Sequence, residues 1–186
     1  MIKDISCVIL SGGKSSRMGR DKALLPFGGY DSLAQYQYQK MKKIFENVYI
    51  SSKSNKFDFE CNLILDIHQT HSPMHALSSI FNKLGNKDIF LLAVDMPSID
   101  IEIIKPLLNE YHTNSSEIIC YKHKNIEPFC AIYRYKVKDK IEQMIEEQDF
   151  KLQNLLQKAS ISVLTTHKID KFQNLNHYSD YLKSIL

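Results

Sequence analysis

No apolar run in this chain of 186 residues approaches the ~18 residues a membrane-spanning helix needs. The first residues also lack the basic, apolar and small-residue succession of a signal peptide, because a strand-like segment begins almost at once. No two cysteines have the C-x-x-C spacing of a zinc or redox site. Cys7, Cys61, Cys120 and Cys130 lie far apart, three of them in strand-like apolar surroundings, and read as reduced, buried thiols. Charge of one sign is scarce as well. A net charge of +3 argues against a surface dedicated to coating nucleic acid, while leaving room for a local anion site. These absences lead to the expectation of a cytoplasmic protein with neither a membrane nor a nucleic-acid partner. Hydrophobic residues at 44% and charged residues at 24% supply material for a core, which excludes a disordered chain, a collagen and a coiled coil. The length fits one domain over residues 1–186.

Apolar runs alternate with helix-period segments. Ile5 to Leu10, Val48 to Ser51, Leu63 to Leu65, Ile89 to Val94, Ile118 to Tyr121, Phe129 to Tyr133 and Ile161 to Leu164 read as strands, short and mostly β-branched. Helices are expected over Ser32 to Phe45, Ser72 to Leu84, Asp100 to Tyr111, Lys136 to Glu147, Phe150 to Lys158 and Tyr178 to Ile185. Ser72-Pro73 is a strong helix start, a capping serine followed by proline in the first turn. Ser52 to Glu60 is the least structured stretch. Strand and helix alternating at this spacing imply an α/β fold: a three-layer, Rossmann-like sandwich with a mainly parallel central sheet covered on both faces. Such sheets bind ligands at the carboxyl ends of their strands.

Three features fall at such ends. After the first strand comes Ser11-Gly12-Gly13-Lys14-Ser15-Ser16-Arg17-Met18-Gly19-Arg20-Asp21-Lys22. Its glycines allow a sharp turn that points backbone N–H groups at an anion, and Lys14, Arg17, Arg20 and Lys22 outweigh the single negative charge of Asp21. Both properties together describe a polyphosphate cradle rather than a solvated basic loop. It is not a P-loop, which would require glycine where Val8 stands, and no G-x-G-x-x-G is present. Asp95-Met96-Pro97 puts a carboxylate just past a buried strand, where it could hold a divalent cation against phosphates or simply make a turn. Asp66 ends another strand and could equally cap the loop that follows. His68, His71 and His75 suggest zinc at first sight, but Pro73 intervenes and no cysteine is near, so solvated loop histidines are the expectation.

On those residues the chain resembles the MobA-like nucleotidyltransferases, whose opening pattern L-x-G-G-x-S-x-R-M-G-x-D-K is matched by Leu10, Gly12, Gly13, Ser15, Arg17, Met18, Gly19, Asp21 and Lys22. The double glycine and the Asp-Lys pair lean toward the guanylyl branch rather than the cytidylyl ones. The resemblance continues through Asp95-Met96-Pro97, through Glu127-Pro128-Phe129-Cys130-Ala131-Ile132-Tyr133, and into Phe172-Gln173-Asn174-Leu175-Asn176. Two departures stand out. Ser72-Pro73-Met74-His75-Ala76 replaces the usual G-P-L-A-G, and His177 replaces a closing threonine.

The resemblance implies a fold of the nucleotide-diphospho-sugar transferase type. It implies Mg²⁺-dependent transfer of GMP from GTP to molybdopterin with release of pyrophosphate. Leu10, Ser11, Gly12 and Gly13 would contact the nucleotide, Lys22 and Arg17 would neutralise phosphate, and Asp66 with a residue near Ser52 would meet base or ribose. Asp95 would hold Mg²⁺, and Asn174 and Asn176 would face the acceptor. Proteins of molybdenum insertion and molybdoenzyme maturation would be the partners. The enlarged side chains at Ser72 to Ala76, His75 foremost, are expected to narrow the pocket near the base or ribose. Two alternatives stay open: a cytidylyl- or other nucleotidyltransferase of the same fold acting on a different acceptor, and a nucleotide-binding module without turnover.

Overall fold

The computed structural model describes residues 1–12, 21–67 and 72–185. Among these, seven strands form one sheet: β1 (Ser6–Leu10), β2 (Val48–Ser52), β3 (Leu63–Leu65), β4 (Ile89–Ala93), β5 (Ile118–Lys122), β6 (Ile126–Tyr133) and β7 (Ile161–Leu164). Their spatial order is β3-β2-β1-β4-β6-β5-β7. All run the same way except β6, which is antiparallel to both of its neighbours, β4 and β5. Six α-helices accompany the sheet: α1 (Leu33–Lys42), α2 (Pro73–Leu84), α3 (Ile101–Thr113), α4 (Lys138–Glu146), α5 (Leu152–Lys158) and α6 (Tyr178–Ile185).

Side-chain alternation along the strands builds two cores, one on each face. Cys7 and Ile9 of β1, Phe90 and Leu92 of β4, and Cys130 and Ile132 of β6 pack with α1 and α3. Val8 and Leu10, Ile89 and Leu91, and Ala131 and Tyr133 pack with α2, α4 and α5. The expected three-layer sandwich with a mainly parallel sheet is therefore present. Cys7, Cys120 and Cys130 are buried and Cys61 half-buried, all of them free thiols.

Helix starts follow their capping residues. Ser32 Oγ accepts the Gln35 N–H at 3.1 Å, Asp100 accepts the Glu102 N–H at 3.1 Å, and Ser72 Oγ accepts the Met74 N–H at 3.1 Å with Pro73 in the first turn. The last of these puts α2 where the serine-proline pair predicts. Two boundaries differ from expectation by three residues, the others by one or two at most. Strand β6 begins at Ile126, because a short turn brings Ile126 opposite Lys122 and extends the ladder beyond the apolar run. Helix α1 stops at Lys42, three residues before Phe45, and the chain then turns toward β2.

The segment that carries Lys22 is joined to α1 by a tight turn. Phe27 and Tyr30 exchange backbone hydrogen bonds of 3.0 and 2.9 Å around Gly28 and Gly29, whose φ angles are +57° and +82°. A β-carbon on Gly28 would lie 2.7 Å from the Tyr36 ring, whereas nothing stands within 4 Å of one on Gly29. Gly28→Ala is therefore expected to destabilise the protein by about 1–3 kcal/mol, from backbone strain plus overpacking. Gly29→Ala should cost only the backbone strain, about 1 kcal/mol. Urea unfolding of both variants checks the order, and a larger loss at Gly29 would contradict the packing described.

Candidate active site

A cleft of about 600 Å³ opens along the carboxyl edge of the parallel strands. Its lining comes from chain segments far apart in sequence: Leu10, Ser11 and Gly12 after β1, Lys53 after β2, Asp66 after β3, and Ala93, Val94 and Asp95 at the end of β4. Ser72, Pro73 and Ala76 at the start of α2, Phe129 of β6, and Asn174 and Asn176 before α6 complete it, together with Asp21, Lys22 and Ala23. Parallel pairing accounts for this convergence. The Ser11 N–H donates to Ser51 O at 2.8 Å and the Val94 N–H to Leu10 O at 3.1 Å, so three strand ends are stitched side by side.

Lys22 begins a one-turn 3₁₀ helix, Lys22–Leu24, capped by Asp21, whose carboxylate accepts the Ala23 N–H at 3.0 Å. From there its ammonium reaches across the cleft to Asp95 Oδ2 at 3.0 Å and Asn176 Oδ1 at 3.4 Å. The loop bearing Asn174 and Asn176 is fixed by the Leu175 N–H, which donates to the Asp95 carbonyl at 2.9 Å. Two oxygens from different elements thus converge on one cation. Hard oxygen donors of this kind suit a divalent ion held by one or two protein groups plus substrate phosphates. No cluster of three or more histidine, cysteine, aspartate or glutamate side chains able to cage a metal occurs among the described residues. Glu127 lies close enough to Asp95 to feel its charge. Burial pushes its carboxyl group above the usual range, the Phe129 N–H it accepts opposes that shift, and the charge of Asp95 reinforces it.

Asp66 is aimed by its neighbours. Its N–H donates to Ser52 O at 3.0 Å, and its Oδ1 accepts the Ser51 hydroxyl at 3.0 Å. Its Oδ2 lies 3.8 Å from where a β-carbon of Gly12 would stand, an ordinary van der Waals distance that places Gly12 and Asp66 side by side in the cleft. On the other flank, Lys56 pairs with Asp21 at 2.5 Å and donates to Ser11 O at 3.2 Å. Its ammonium ties together the residues on either side of 13–20. Two polar atoms in the cleft, Ser11 Oγ and Asn174 Oδ1, are buried without a hydrogen-bond partner among the described residues.

Leu10, Ser11, Gly12, Lys22, Asp66, Asp95, Asn174 and Asn176 all line the cleft as the sequence reading expects. Gly13, Lys14, Ser15, Arg17, Met18, Gly19 and Arg20, with His68 and His71, lie outside the described residues. Ser52 is not in the lining: it is buried, and it meets Asp66 through its backbone carbonyl. The side chain that touches Asp66 belongs to Ser51, and Lys53 faces the cleft. Strand alternation is the signal that could have found this, since Val48 and Ile50 pack on the α1 side and Ser51 shares the other face with Tyr49. His75 does not narrow the cleft either. It is 6% exposed and packs its ring against Phe150 at 4.7 Å, away from the lining.

A doubly covered, mainly parallel sheet with a cleft of lysines and carboxylates at its strand ends is the architecture of the nucleotide-diphospho-sugar transferase fold. Residues 7–163 match the family described as MobA-like NTP transferase domain, and the chain belongs to that family. A molybdenum cofactor guanylyltransferase from Campylobacter jejuni subsp. doylei is 35% identical over 184 residues, covering 98% of this chain and 96% of the relative. One from Helicobacter pylori is 29% identical, covering 97% of this chain and 88% of the relative. In fold, the chain is similar to the crystal structure of molybdopterin-guanine dinucleotide biosynthesis protein A from Archaeoglobus fulgidus. The TM-score there is 0.84 at 20% identity, with 97% of each chain covered.

The exchange of Ser52 for Ser51 can be measured directly. Ser51→Ala removes a hydroxyl bonded to a carboxylate, and nucleotide affinity should fall roughly fivefold, or about 1 kcal/mol, as Asp66 loses its orientation. Ser52→Ala should change affinity less than about twofold, its contact being through the backbone. Equal losses in a calorimetric titration would return Ser52 to the site.

Proposed function

We propose that the protein transfers GMP from GTP to molybdopterin, releasing pyrophosphate and forming the guanine dinucleotide form of the cofactor. The observation that carries this is the meeting of Lys22, Asp95 and Asn176 at one point of the cleft, beside the strand end that leads into the glycine-rich basic loop. The relatives' names supply the base and the acceptor.

The reaction joins two anions, the acceptor's terminal phosphate and the α-phosphate of GTP, so catalysis consists chiefly of neutralising charge and holding the attack in line. The cleft edge formed by Leu10, Ser11 and Gly12 receives the nucleotide, and Asp66, aimed by Ser51, meets its base or ribose. Lys22 exchanges Asp95 for substrate phosphate. That exchange is affordable, because a partly exposed ion pair contributes only about 1 kcal/mol or less. Asp95 and Asn176 would hold Mg²⁺, which withdraws charge from the phosphate oxygens when bound. Asn174, in the cleft lining beside Asn176, faces the acceptor. No side-chain nucleophile is needed. Molybdenum-insertion and molybdoenzyme-maturation proteins would be the partners, and the cytoplasm the setting; none of the described helices is long and apolar enough to cross a membrane.

Asp95→Asn tests the cation. Turnover, read as pyrophosphate release, should fall about a hundredfold or more at limiting Mg²⁺, while GTP affinity measured without metal changes little. Near-normal turnover at limiting Mg²⁺ would overturn the assignment of Asp95. The base is tested at the departure in α2. The double variant Ser72→Gly, Ala76→Gly restores glycines to the lining and should shift GTP affinity by about 1–3 kcal/mol at most while leaving GTP preferred over CTP. Preference for CTP in the parent chain would favour the cytidylyl reading instead.

A further inference from the structure

Asp95 stands on a turn, and a carboxylate on a turn serves a cation only if the turn is fixed. Here every backbone carbonyl from Val94 to Pro97 is engaged. That of Asp95 accepts the Leu175 N–H at 2.9 Å. The other three are taken by two side chains of α1. Gln37 Nε2 donates to Met96 O at 2.9 Å and reaches Val94 O at 3.5 Å, bracketing Asp95 on both sides. One helical turn further on, Lys40 Nζ donates to Pro97 O at 2.5 Å. The helix beneath them is a firm base, with Leu33, Ala34, Tyr38 and Met41 all in the core.

Gln37 is an unusual residue for its place. It is 0% exposed, and its Oε1 has no partner among the described residues. A buried amide with an unsatisfied oxygen costs stability that an apolar side chain of similar size would not. What the amide supplies instead is a pair of hydrogen bonds to the residues flanking Asp95.

We propose that Gln37 and Lys40 are positioning residues for the cation site: they touch neither substrate nor metal, and they set the Asp95 carboxylate by clamping the carbonyls on either side of it. The proposal rests on the reading of Asp95 as a cation ligand. Supports behind a metal ligand commonly change metal affinity or activity by 10–100-fold when removed. A loosened turn should therefore appear in the metal dependence and not in the binding of the nucleotide's base and ribose.

Gln37→Met keeps the side chain's length and apolar packing while deleting the donor. Mn²⁺ binding to the complex with α,β-methylene GTP, followed by electron paramagnetic resonance, should weaken about tenfold or more. The Mg²⁺ concentration for half-maximal turnover should rise in parallel, with KM for GTP at saturating Mg²⁺ unchanged and the melting temperature no lower than that of the parent. Lys40→Met, which clears one flank only, should weaken Mn²⁺ binding by a smaller factor. Should Gln37→Met fail to fold, Lys40→Met decides alone. Parent-like Mn²⁺ affinity in a folded Gln37→Met, or in Lys40→Met where that is the deciding variant, overturns the proposal. Asp95→Asn separates this from the reading beneath it. Lost Mn²⁺ binding there together with parent-like Gln37→Met refutes the clamp alone, whereas undiminished Mn²⁺ binding in Asp95→Asn refutes both.

Discussion

Burying both faces of the sheet leaves almost nowhere for charge. Along β1 and β4 each side chain goes into one core or the other, so ionisable groups can stand only where strands end. Because β3, β2, β1 and β4 run in the same direction, their ends fall on one edge. Asp66, Ser51, Ser11 and Asp95 are thereby brought together although 84 residues separate the first and last along the chain. The site is a consequence of the sheet's polarity, and the helices serve it by covering what the strands expose.

Within that edge the charges are arranged to be exchanged. Lys22 pairs with Asp95, and Lys56 with Asp21, both partly open to solvent. Pairs of this exposure add little to stability. In the proposed reaction a phosphate or a cation replaces each partner, and until then Lys22, Asp95, Lys56 and Asp21 do not stand as isolated charges. The groups that must not move are held differently. Asp66 is tied by the hydroxyl of Ser51, and the turn of Asp95 by the buried Gln37 and half-buried Lys40 of α1 and by the Leu175 amide. Electrostatic catalysis depends on this division, since a stabilising group has to be in place before the charge develops.

The sequence made legible those parts whose signal is local. Strand β4 is apolar throughout, Ser72-Pro73 starts α2, and Leu10 to Lys22 with Asp95-Met96-Pro97 carry a family pattern, so fold class and most of the cleft lining could be named. What escaped depends on side chains meeting distant backbone. Gln37 and Lys40 act on carbonyls 57 or 59 residues away, and Lys56 on one 45 residues away, and no spacing rule announces a carbonyl acceptor. The direction of β6 escaped for a related reason. Read as starting at Phe129, it leaves a gap after Tyr121 that could be a loop of any course. Once the strand begins at Ile126 the connection is too short for a parallel crossover, and an antiparallel ladder must follow.

The altered start of α2 shows how the cleft accommodates larger residues where its family has glycines. Ser72 turns its hydroxyl to the Met74 N–H and donates to the Phe150 carbonyl at 3.3 Å, so it is spent on the helix start and on the α4–α5 connection. His75 follows the same route and lies on the Phe150 ring. The bulk of His75 is thus absorbed by a contact with the approach to α5, and its side chain does not enter the cleft lining. Of the two positions that lost glycine, Ala76 brings only a methyl group into the lining, and Ser72 enters it with its polar atom already engaged. A cleft wall can therefore change composition with little change of shape, provided a neighbouring element such as residues 147–151 offers somewhere for the new side chains to go.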